Sequence, residues 1–581
     1  MILKTLRIWN FRQFSQQCDN PGLEVTFHEG LNILIGENDS GKSTIIDAIK
    51  LVLQTQINES FKVTDEDFYF DIITNQKASK IKIECELTNF TEDEAKNFIE
   101  WLYFEEDDKG DIQYKLKLTF TAWKENKRIY YEIKAGMSDE GHTIDAKAKD
   151  LLRCTYLKPL RDADRDMQSS RSSRLSQILY NHPLFSNEEN HALVQIIKDA
   201  NQRIADYFAK EEGVVILNRI QEHMNEFIDK KDLLTAQFTT SDPRLKSILE
   251  SLSIKLNKIQ PGLGTLNLLY IAVELLLLNE KDDNGIKLAL IEEIEAHLHP
   301  QAQLRLIEFL QKEYDKSNIQ FIISTHSTLL SSSVNLKNAL LCRNSNVYSL
   351  APGCTKLEPN DYLFLQRFLE TTKANMFFAR GVIFVEGYAE NLLLPVLADI
   401  IDYPLSSYGV SIVNVGSTAF LRYSRIFLQT GPNSMKVPVS IITDVDVKPI
   451  DVNTGDFDDE KRKQEIENKI RKYSEDYIKT FVCPYWTLEF NLALSCLKEY
   501  FYKAVLLANE LQKHDNDKNP KGSNNTEFNL SNMLVKIEQI LKKDFDKWTN
   551  LGYSSYRIAQ EIYKKIYNKI SKTLIAQCLA S

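Results

Sequence analysis

Two glycines, a lysine and two hydroxyl residues follow a short apolar run near the amino terminus. The run at residues 31–35 leads into the string GENDSGKST, which fits the pattern G-x-x-x-x-G-K-[ST]. Glycines let backbone N–H groups close around phosphate oxygens where a helix begins, the lysine supplies positive charge to the outer phosphates, and the following hydroxyl binds Mg²⁺. The spacing therefore predicts an ATP–Mg²⁺ site formed by these residues: Gly36, Asn38, Gly41, Lys42, Ser43 and Thr44.

Two further elements suited to phosphate chemistry follow later apolar runs. The run at residues 288–291 ends in Glu292 and Glu293. We expect Glu292 to hold the water shell of Mg²⁺ and Glu293 to polarise the attacking water. His326 follows a third apolar run and is a candidate sensor of the γ-phosphate. A glutamate pair can equally begin a solvated helix, and a lone histidine is more often structural, so these assignments depend on all three elements occurring in one chain.

A set of carboxylates marks the second half of the chain. Each acid either follows a short apolar run or lies close beyond one: Glu386, Glu390, Asp444, Asp446 and Glu489. Because the carboxyl ends of parallel strands meet at one edge of a sheet, we expect these side chains to converge. Hard oxygen ligands of this kind suit Mg²⁺ or Mn²⁺. A single acid of this set would be read as a solvated loop residue, whereas the ordered set favours a metal site.

The spacing of apolar residues predicts the elements that position these side chains. Residues 81–133 alternate between apolar and polar side chains, which predicts an antiparallel meander. Residues 187–257 repeat every three or four, which predicts a helical insertion and a candidate dimerisation region. From residue 288 onward, short wholly apolar runs alternate with amphipathic helices, as in parallel sheets buried on both faces. The predicted fold class is α/β.

A turn-rich passage at residues 343–361 separates two runs of buried strands, and we place the main boundary near residue 370. The predicted domains are an amino-terminal ATPase lobe with the phosphate loop, the helical insertion, a carboxy-terminal ATPase lobe, and the domain that carries the carboxylates. Their bounds are 1–165, 166–257, 258–370 and 371–581.

Composition and charge narrow the class of protein further. The 581 residues include 71 basic and 81 acidic side chains, a net charge of −10, and their 43% hydrophobic content is ordinary for globular proteins. Without an apolar leader or a membrane-length apolar run, we expect a cytoplasmic protein with no membrane partner. Contact with nucleic acid must then come from local basic patches. Two clusters are candidates: Arg161, Arg165, Arg171 and Arg174, and Lys461, Arg462, Lys463, Arg471 and Lys472.

The motifs of the first half resemble the ABC-type ATPase heads of the RecF and SMC class. The likeness rests on the phosphate loop, the glutamate pair followed by AHLHPQ, and ISTHS, in that order. In such heads a signature loop from one protomer closes on the nucleotide of another, which implies a homodimer or a higher homo-oligomer. The segment at residues 261–275 lies where that loop is expected, with Gly262-Leu263-Gly264 in place of the usual Ser-Gly-Gly.

The second half resembles the Toprim fold through VEGYAE, VNVGS and DVD. An ABC head followed by a Toprim domain is identified as the architecture of the OLD (overcoming lysogenization defect) family of ATP-dependent nucleases, which includes Gabija nuclease subunits. The resemblance implies a RecF/SMC-like ATPase head with a helical insertion, followed by a Rossmann-like parallel-sheet Toprim domain. It also implies a nucleotide-regulated DNA endonuclease in anti-phage defence, with a separately encoded helicase or other defence protein as a candidate partner.

The chemistry that the resemblance implies is two-metal hydrolysis of a phosphodiester. Glu386 is the candidate general base, and the five acids are candidate ligands of two Mg²⁺ or Mn²⁺ ions. Near the carboxy terminus, SKTLIAQ resembles the lysine-bearing motif of the family, which makes Lys572 the residue that stabilises the pentacovalent phosphate. Thr573 stands where the family motif has glycine.

Two other functions fit parts of the sequence. One is a RecF-like, ATP-switched DNA-binding scaffold whose acidic half is catalytically silent. The other is a topoisomerase-like or primase-like Toprim enzyme; a topoisomerase would need a transesterifying tyrosine from another domain. The nuclease is preferred because all five acids are present in order.

Overall fold

The computed structural model of the chain describes residues 1–16, 19–55, 62–106, 112–126, 128–137, 141–158, 173–181, 183–185, 191–210, 212–227, 243–254, 262–279, 285–449, 458–517, 530–566 and 569–581. Arg161, Arg165 and Arg171 of the first predicted basic cluster lie outside these residues, as does Pro261. Helices and strands alternate along the chain, so the predicted α/β class is confirmed.

The strands are β1 (Ile2–Trp9), β2 (Leu23–Thr26), β3 (Leu31–Ile35), β4 (Phe70–Asp71), β5 (Gln76–Lys77), β6 (Lys80–Thr88), β7 (Tyr103–Glu106), β8 (Ile112–Glu125), β9 (Arg128–Ala135), β10 (His142–Thr143), β11 (Thr155–Leu157), β12 (Leu288–Ile291), β13 (Gln320–Thr325), β14 (Ala339–Arg343), β15 (Asn346–Ser349), β16 (Gly381–Val385), β17 (Val410–Asn414), β18 (Val439–Thr443) and β19 (Ile478–Val482).

The α-helices are α1 (Lys42–Leu53), α2 (Glu92–Lys96), α3 (Ala146–Leu152), α4 (Arg174–Asn181), α5 (Ala192–Lys210), α6 (Glu212–Phe227), α7 (Leu245–Glu250), α8 (Leu263–Asn279), α9 (Pro300–Ser317), α10 (Thr328–Ser333), α11 (Pro359–Phe368), α12 (Thr371–Ala374), α13 (Tyr388–Ile400), α14 (Phe420–Ser424), α15 (Asp459–Tyr473), α16 (Leu488–Leu494), α17 (Lys498–Asp517), α18 (Leu530–Asn550), α19 (Ser555–Ile566) and α20 (Lys572–Ala580).

The chain divides into two compact units. One consists of Met1–Asn32 and Ser43–Thr325, and the other of Ile33–Lys42 and His326–Ser581. Among the residues described, no helix is both long enough and apolar enough to cross a membrane.

An antiparallel sheet in the first unit has the strand order β10-β9-β8-β6-β1-β2, and β7 also pairs with β8. Alternate residues of a strand point to opposite faces of the sheet. Leu6, Ile83 and Phe120 are therefore buried, whereas some of the polar residues between them are not buried. The neighbours β6, β8 and β9 run antiparallel in chain order, which confirms the predicted meander.

Parallel strands carry the ATPase motifs in both units. In the first unit, β11, β12 and β13 are adjacent and parallel, and every residue of these three strands is buried. In the second unit, β3 pairs in parallel with β14, which pairs antiparallel with β15. Burial on both faces explains why apolar residues run consecutively in these strands, as at residues 288–291 and 321–323, rather than alternating with polar ones.

A second parallel sheet, with the order β17-β16-β18-β19, lies in the second unit. Val385 is level with Asn414 on one side and with Ile442 on the other. Thr443 in turn is level with Val482. The carboxyl ends of the three strands β16, β18 and β19 therefore lie along one edge.

A helical layer in the second unit shares one apolar core, formed by residues from α13 and from α16 to α20. A polar contact joins three of these helices: the hydroxyl of Tyr502 donates to Asp544 Oδ2 at 2.6 Å, and Lys565 Nζ donates to the same atom at 2.9 Å. Burial of Asp544 opposes its charge, but the hydrogen bonds from Lys565 and Tyr502, together with the positive charges of Lys565 and Lys547, outweigh burial and lower its pKa.

Replacement of Asp544 by asparagine should lower the unfolding temperature by about 2–4 °C at neutral pH. A carboxyl whose pKa is lower in the folded state stabilises the fold above its unfolded pKa, about 4, and loses that contribution as the pH falls below it. The difference between the variant and the parent should therefore shrink below about pH 4. Unfolding temperatures measured from neutral pH to below about pH 4 would test this expectation, with the exposed Asp546→Asn variant as the control. An equal shift in the control, or a pH-independent difference, would contradict the expectation.

Candidate active site

The phosphate loop of the second unit is closed around its lysine. Lys42 Nζ donates to the carbonyl oxygens of Gly36 and Glu37 at 2.7 and 2.6 Å, and the lysine is buried. A Cβ on Gly36 would lie 2.4 Å from the carbonyl oxygen of Cys342, and Gly41 has a φ of +99°. Only glycine fits both positions without strain. Asn38 is exposed in this loop.

Helix α1 begins at Lys42, directly after the phosphate loop. Ser43, at its first turn, is exposed, whereas Thr44 is buried and donates its hydroxyl to Gln13 Oε1 at 3.0 Å. The predicted order of strand, glycine-rich loop and helix is present, with the helix N-terminus at the loop as phosphate binding requires.

Glu292 follows β12 in the first unit and is almost fully buried. Its Oε1 accepts a hydrogen bond of 2.8 Å from the hydroxyl of Tyr156, and its carboxylate also bonds to Ser43. Burial raises the pKa of Glu292, although both of these hydrogen bonds oppose the rise. The structure thus brings Glu292 and Ser43, two predicted members of the Mg²⁺ site, into contact.

The next predicted ATPase residue, Glu293, has a positive φ of +45°, which is uncommon for a residue with a side chain. Its backbone N–H donates to Ser324 Oγ at 3.3 Å. His326 follows β13 and is exposed. Backbone strain of this kind is often found at functional sites, where surrounding contacts maintain it.

The carboxylate centre of the second unit begins where β16 and β18 end. Glu386 Oε1 accepts hydrogen bonds from the Thr443 hydroxyl and, at 3.3 Å, from the backbone N–H of Asp444. Because the two strands are in parallel register, the residue after β16 lies beside the last residue of β18. The sheet itself therefore positions Glu386 against Asp444.

Charge repulsion and burial act together at this centre. Burial and then the Glu386 carboxylate raise the pKa of Asp444 to about 7, and Glu489 and Glu390 contribute to the rise. Burial also raises the pKa of Glu390, with smaller contributions from Glu489 and Glu386. Four of the five predicted acids are thus close enough to influence one another.

Two lysines neutralise parts of this centre. Lys572 Nζ, at the start of α20, donates to Glu489 Oε2 at 2.8 Å, and Glu489 is buried. Burial opposes the charge of Lys572, but the Glu489 carboxylate raises its pKa. The fifth acid, Asp446, is exposed, and its Oδ2 accepts from Lys469 Nζ at 2.7 Å. Lys469 also donates to the Asp444 carbonyl at 2.6 Å.

The donor set of the carboxylate centre suits a hard divalent cation. Among the described residues, no three His, Cys, Asp or Glu side chains are already arranged to hold a metal ion. Several carboxylates nevertheless share one partly buried region, and Asp444 in particular has a strongly raised pKa. A bound cation would oppose the effects of burial and of the neighbouring carboxylates, which together raise this pKa, because opposite charge favours the ionised carboxylate. These residues therefore fit Mg²⁺ or Mn²⁺ by chemistry and by electrostatics.

Three side chains that sequence reasoning missed hold the predicted residues in place. They are Tyr156 beside Glu292, Thr443 beside Glu386, and Lys469 beside Asp446. Of these three residues, only Thr443 could have been noticed in the sequence, because it directly precedes Asp444.

The second predicted basic cluster lies on α15, where Arg462 donates to Asp459 and to the Pro484 carbonyl.

Replacement of Thr443 by valine should raise the concentration of metal ion that any activity at this centre requires. The variant removes the hydroxyl that donates to Glu386, and loss of such a supporting hydrogen bond typically costs about 10–100-fold in metal affinity. A titration of activity against Mg²⁺ or Mn²⁺ would measure the shift. Thr480→Val is the matched control, since Thr480 is a buried threonine of the adjacent strand that bonds only to Ser474 among the contacts described. The same metal requirement in Thr443→Val as in the parent would show that the hydroxyl has no supporting role.

The described geometry defines a P-loop ATPase that carries a parallel-sheet domain with carboxylates at its strand ends. The chain belongs to the family described as "AAA domain, putative AbiEii toxin, Type IV TA system", which matches residues 31–332. Residues 377–446 match the family described as "Overcoming lysogenization defect protein-like, TOPRIM domain". The resemblance to the OLD family and the predicted ATPase–Toprim architecture are thereby confirmed.

Similar proteins extend over most of the chain. A protein named Endonuclease GajA, from Bacillus cereus (strain HuB5-5), is 23% identical over 582 residues, covering 82% of this chain and 82% of the relative. A protein named OLD nuclease, from Thermus scotoductus, is 24% identical, with 81% of this chain and 86% of the relative covered. The SMC head domain from Thermotoga maritima shares 16% identity over 60% of this chain and 97% of that chain, with a TM-score of 0.27.

Proposed function

We propose that this protein is a nucleotide-regulated, metal-dependent DNA endonuclease that acts in anti-phage defence. The observation that carries the proposal is the carboxylate centre, where Glu386 and Asp444 lie at neighbouring strand ends and Glu489, on α16, bonds to Lys572. The relatives named as nucleases support the same reaction class. The ATPase half supplies the nucleotide control.

Each residue of the carboxylate centre has a role in this proposal. Glu386 is the general base, oriented by the hydrogen bonds that it accepts from Thr443 and Asp444. Together with Glu386, the acids Glu390, Asp444, Asp446 and Glu489 would hold two Mg²⁺ or Mn²⁺ ions. When bound, these ions lower the pKa of water and stabilise the departing 3′-oxygen. Lys572 places positive charge beside the phosphate, where charge develops in the transition state.

The nucleotide site has its own assignments. Gly36, Asn38, Gly41, Lys42 and Thr44 would bind the phosphates of ATP, with Ser43 and Glu292 at Mg²⁺. Glu293 would polarise the attacking water, and His326 would sense the γ-phosphate. Because ABC-type heads complete their sites between protomers, we propose a homodimer or a higher homo-oligomer. A separately encoded helicase is a further proposed partner.

Incubation of the purified protein with supercoiled and linear plasmid would test the proposed reaction. We expect cleavage in Mg²⁺ or Mn²⁺, none in EDTA, and a rate that changes when ATP is added. An Asp444→Asn variant should lose cleavage while it retains DNA binding. DNA binding that depends on ATP, with no cleavage under either metal, would instead favour a scaffold. A covalent protein–DNA adduct on denaturation would favour a topoisomerase.

A further inference from the structure

The last part of the chain is basic in a protein that is acidic as a whole. Residues 530–581 contain nine basic and four acidic side chains, whereas the complete chain has a net charge of −10. Three of these basic residues, Lys542, Lys543 and Lys547, are exposed on α18. Positive charge concentrated on one element of an acidic protein is the electrostatic signature of a site for a polyanion.

The acids of α18 are largely neutralised by contacts to other helices. Glu538 accepts from Lys503 Nζ of α17 at 2.8 Å. Asp544 accepts from Tyr502 and from Lys565. By contrast, Lys542 and Lys543 form no hydrogen bond or ion pair with any residue that the structure describes. The positive charge of this helix is therefore left facing solvent, with the exposed Asp546 as its one close opposing charge on that face.

The orientation of α18 is set by its apolar side. Ile537 and Trp548 are buried in the helical layer, with exposed fractions of 1% and 5%. The opposite side lines an open groove of about 720 Å³, formed by Gln539, Lys542, Lys543, Asp546, Lys547 and Asn550 together with Leu551. We call these polar residues the α18 lysine face.

We propose that the α18 lysine face binds the phosphate backbone of the DNA duplex, an inference that rests on the proposed function. Lys543 and Lys547 are one helical turn apart, a rise of about 6 Å, and so span about two phosphates of one strand. The amide groups of Gln539 and Asn550 flank the lysines and are able to donate to phosphate oxygens. Contacts of this kind position DNA without reading its sequence.

The helical layer connects this face to the carboxylate centre. Helices α16, α18 and α20 contribute to one apolar core, and α16 and α20 carry Glu489 and Lys572. A duplex held on α18 is therefore held by the same rigid layer that positions the proposed catalytic lysine. The lysine face would add affinity at a distance from the reacting phosphate, so its loss should raise KM more than it lowers kcat.

The test compares two triple variants that change net charge equally. One is Lys542→Gln, Lys543→Gln, Lys547→Gln. The matched control is Lys356→Gln, Lys513→Gln, Lys564→Gln, in which each lysine pairs with a glutamate. Binding of a fluorescent duplex is measured in EDTA over a range of NaCl concentrations. Loss of three phosphate contacts should reduce the slope of log affinity against log salt by about 2–3. The control should keep the slope of the parent.

A single variant that removes a negative charge, instead of positive charges, strengthens the test. Asp546→Asn removes the negative charge from the lysine face, so it should tighten DNA binding, which general damage to the fold would not do. An unchanged slope in the lysine-face variant, or an equal loss in the control, would overturn the proposal. If the parent binds the duplex with the expected slope but cuts no plasmid in Mg²⁺ or Mn²⁺, the proposed nuclease function fails while the binding face stands.

Discussion

Replacement of Glu386 by alanine is expected to slow DNA cleavage by roughly 10²–10⁴-fold, the range typical of a lost general base. The Thr443 hydroxyl and the Asp444 N–H hold the Glu386 carboxylate at the strand ends. We therefore expect that no neighbouring carboxylate can take over its role. The measurement is the single-turnover rate of plasmid cleavage at saturating Mg²⁺ or Mn²⁺.

Two companion variants separate the chemistry of Glu386 from its structural contacts. Glu386→Gln keeps an oxygen that accepts from Thr443 but loses the basic carboxylate, so it should be as slow as the alanine variant. Asp399→Asn changes an exposed carboxylate of α13 in the same unit and should cut at the rate of the parent. If Glu386→Gln cuts as fast as the parent, the residue is structural and the general base lies elsewhere.

Replacement of Lys42 by alanine should reduce ATP hydrolysis by about 100-fold or more, because it removes a charge aimed at the transferring phosphate. The same change leaves the carbonyls of Gly36 and Glu37 without the ammonium that now bonds to them, so the phosphate loop loses its closing contact. ATP affinity and steady-state phosphate release would both be measured.

The control for Lys42→Ala is Lys337→Ala, an exposed lysine of the same unit. It should bind and hydrolyse ATP as the parent does. Lys42→Ala should cut DNA at the same rate with and without ATP, so the change that ATP causes in the parent would give the sign of the coupling. ATP hydrolysis at the rate of the parent would show that the loop does not act as a phosphate site.

Motifs that act over a few residues were predictable from the sequence. The phosphate loop needs only glycines, a lysine and a hydroxyl between a strand and a helix, and α1 begins at Lys42 as that pattern requires. Glu386 and Asp444 were predictable for a similar reason, since strand ends in parallel register meet at one edge. The bounds of the four predicted domains stay a prediction, as do the individual roles of the site residues.

Contacts between distant parts of the chain were not predictable. The hydroxyl that holds Glu292 comes from Tyr156, 136 residues earlier, and Lys469 reaches Asp446 across 23 residues.

The packing of the helical insertion was not predictable from the sequence either. Helix α5 forms within the predicted helical insertion, but its most buried side chain is Val194, and the apolar Ile204 is 47% exposed. Periodicity identifies a helix, whereas its packing partners decide which side is covered.

The pairing of Lys572 with Glu489 has a consequence for protein synthesis. Lys572 follows every other residue of the proposed nuclease centre in the chain, so a ribosome that stops early, after Glu489, releases a product with the carboxylates but without the ammonium group. Such a fragment would also lack helices α17 to α20, which share one apolar core with α16, so the helical layer that positions Glu489 could not assemble. If Lys572 has the proposed role, DNA cutting would therefore be restricted to molecules whose translation has passed the last helix of this layer.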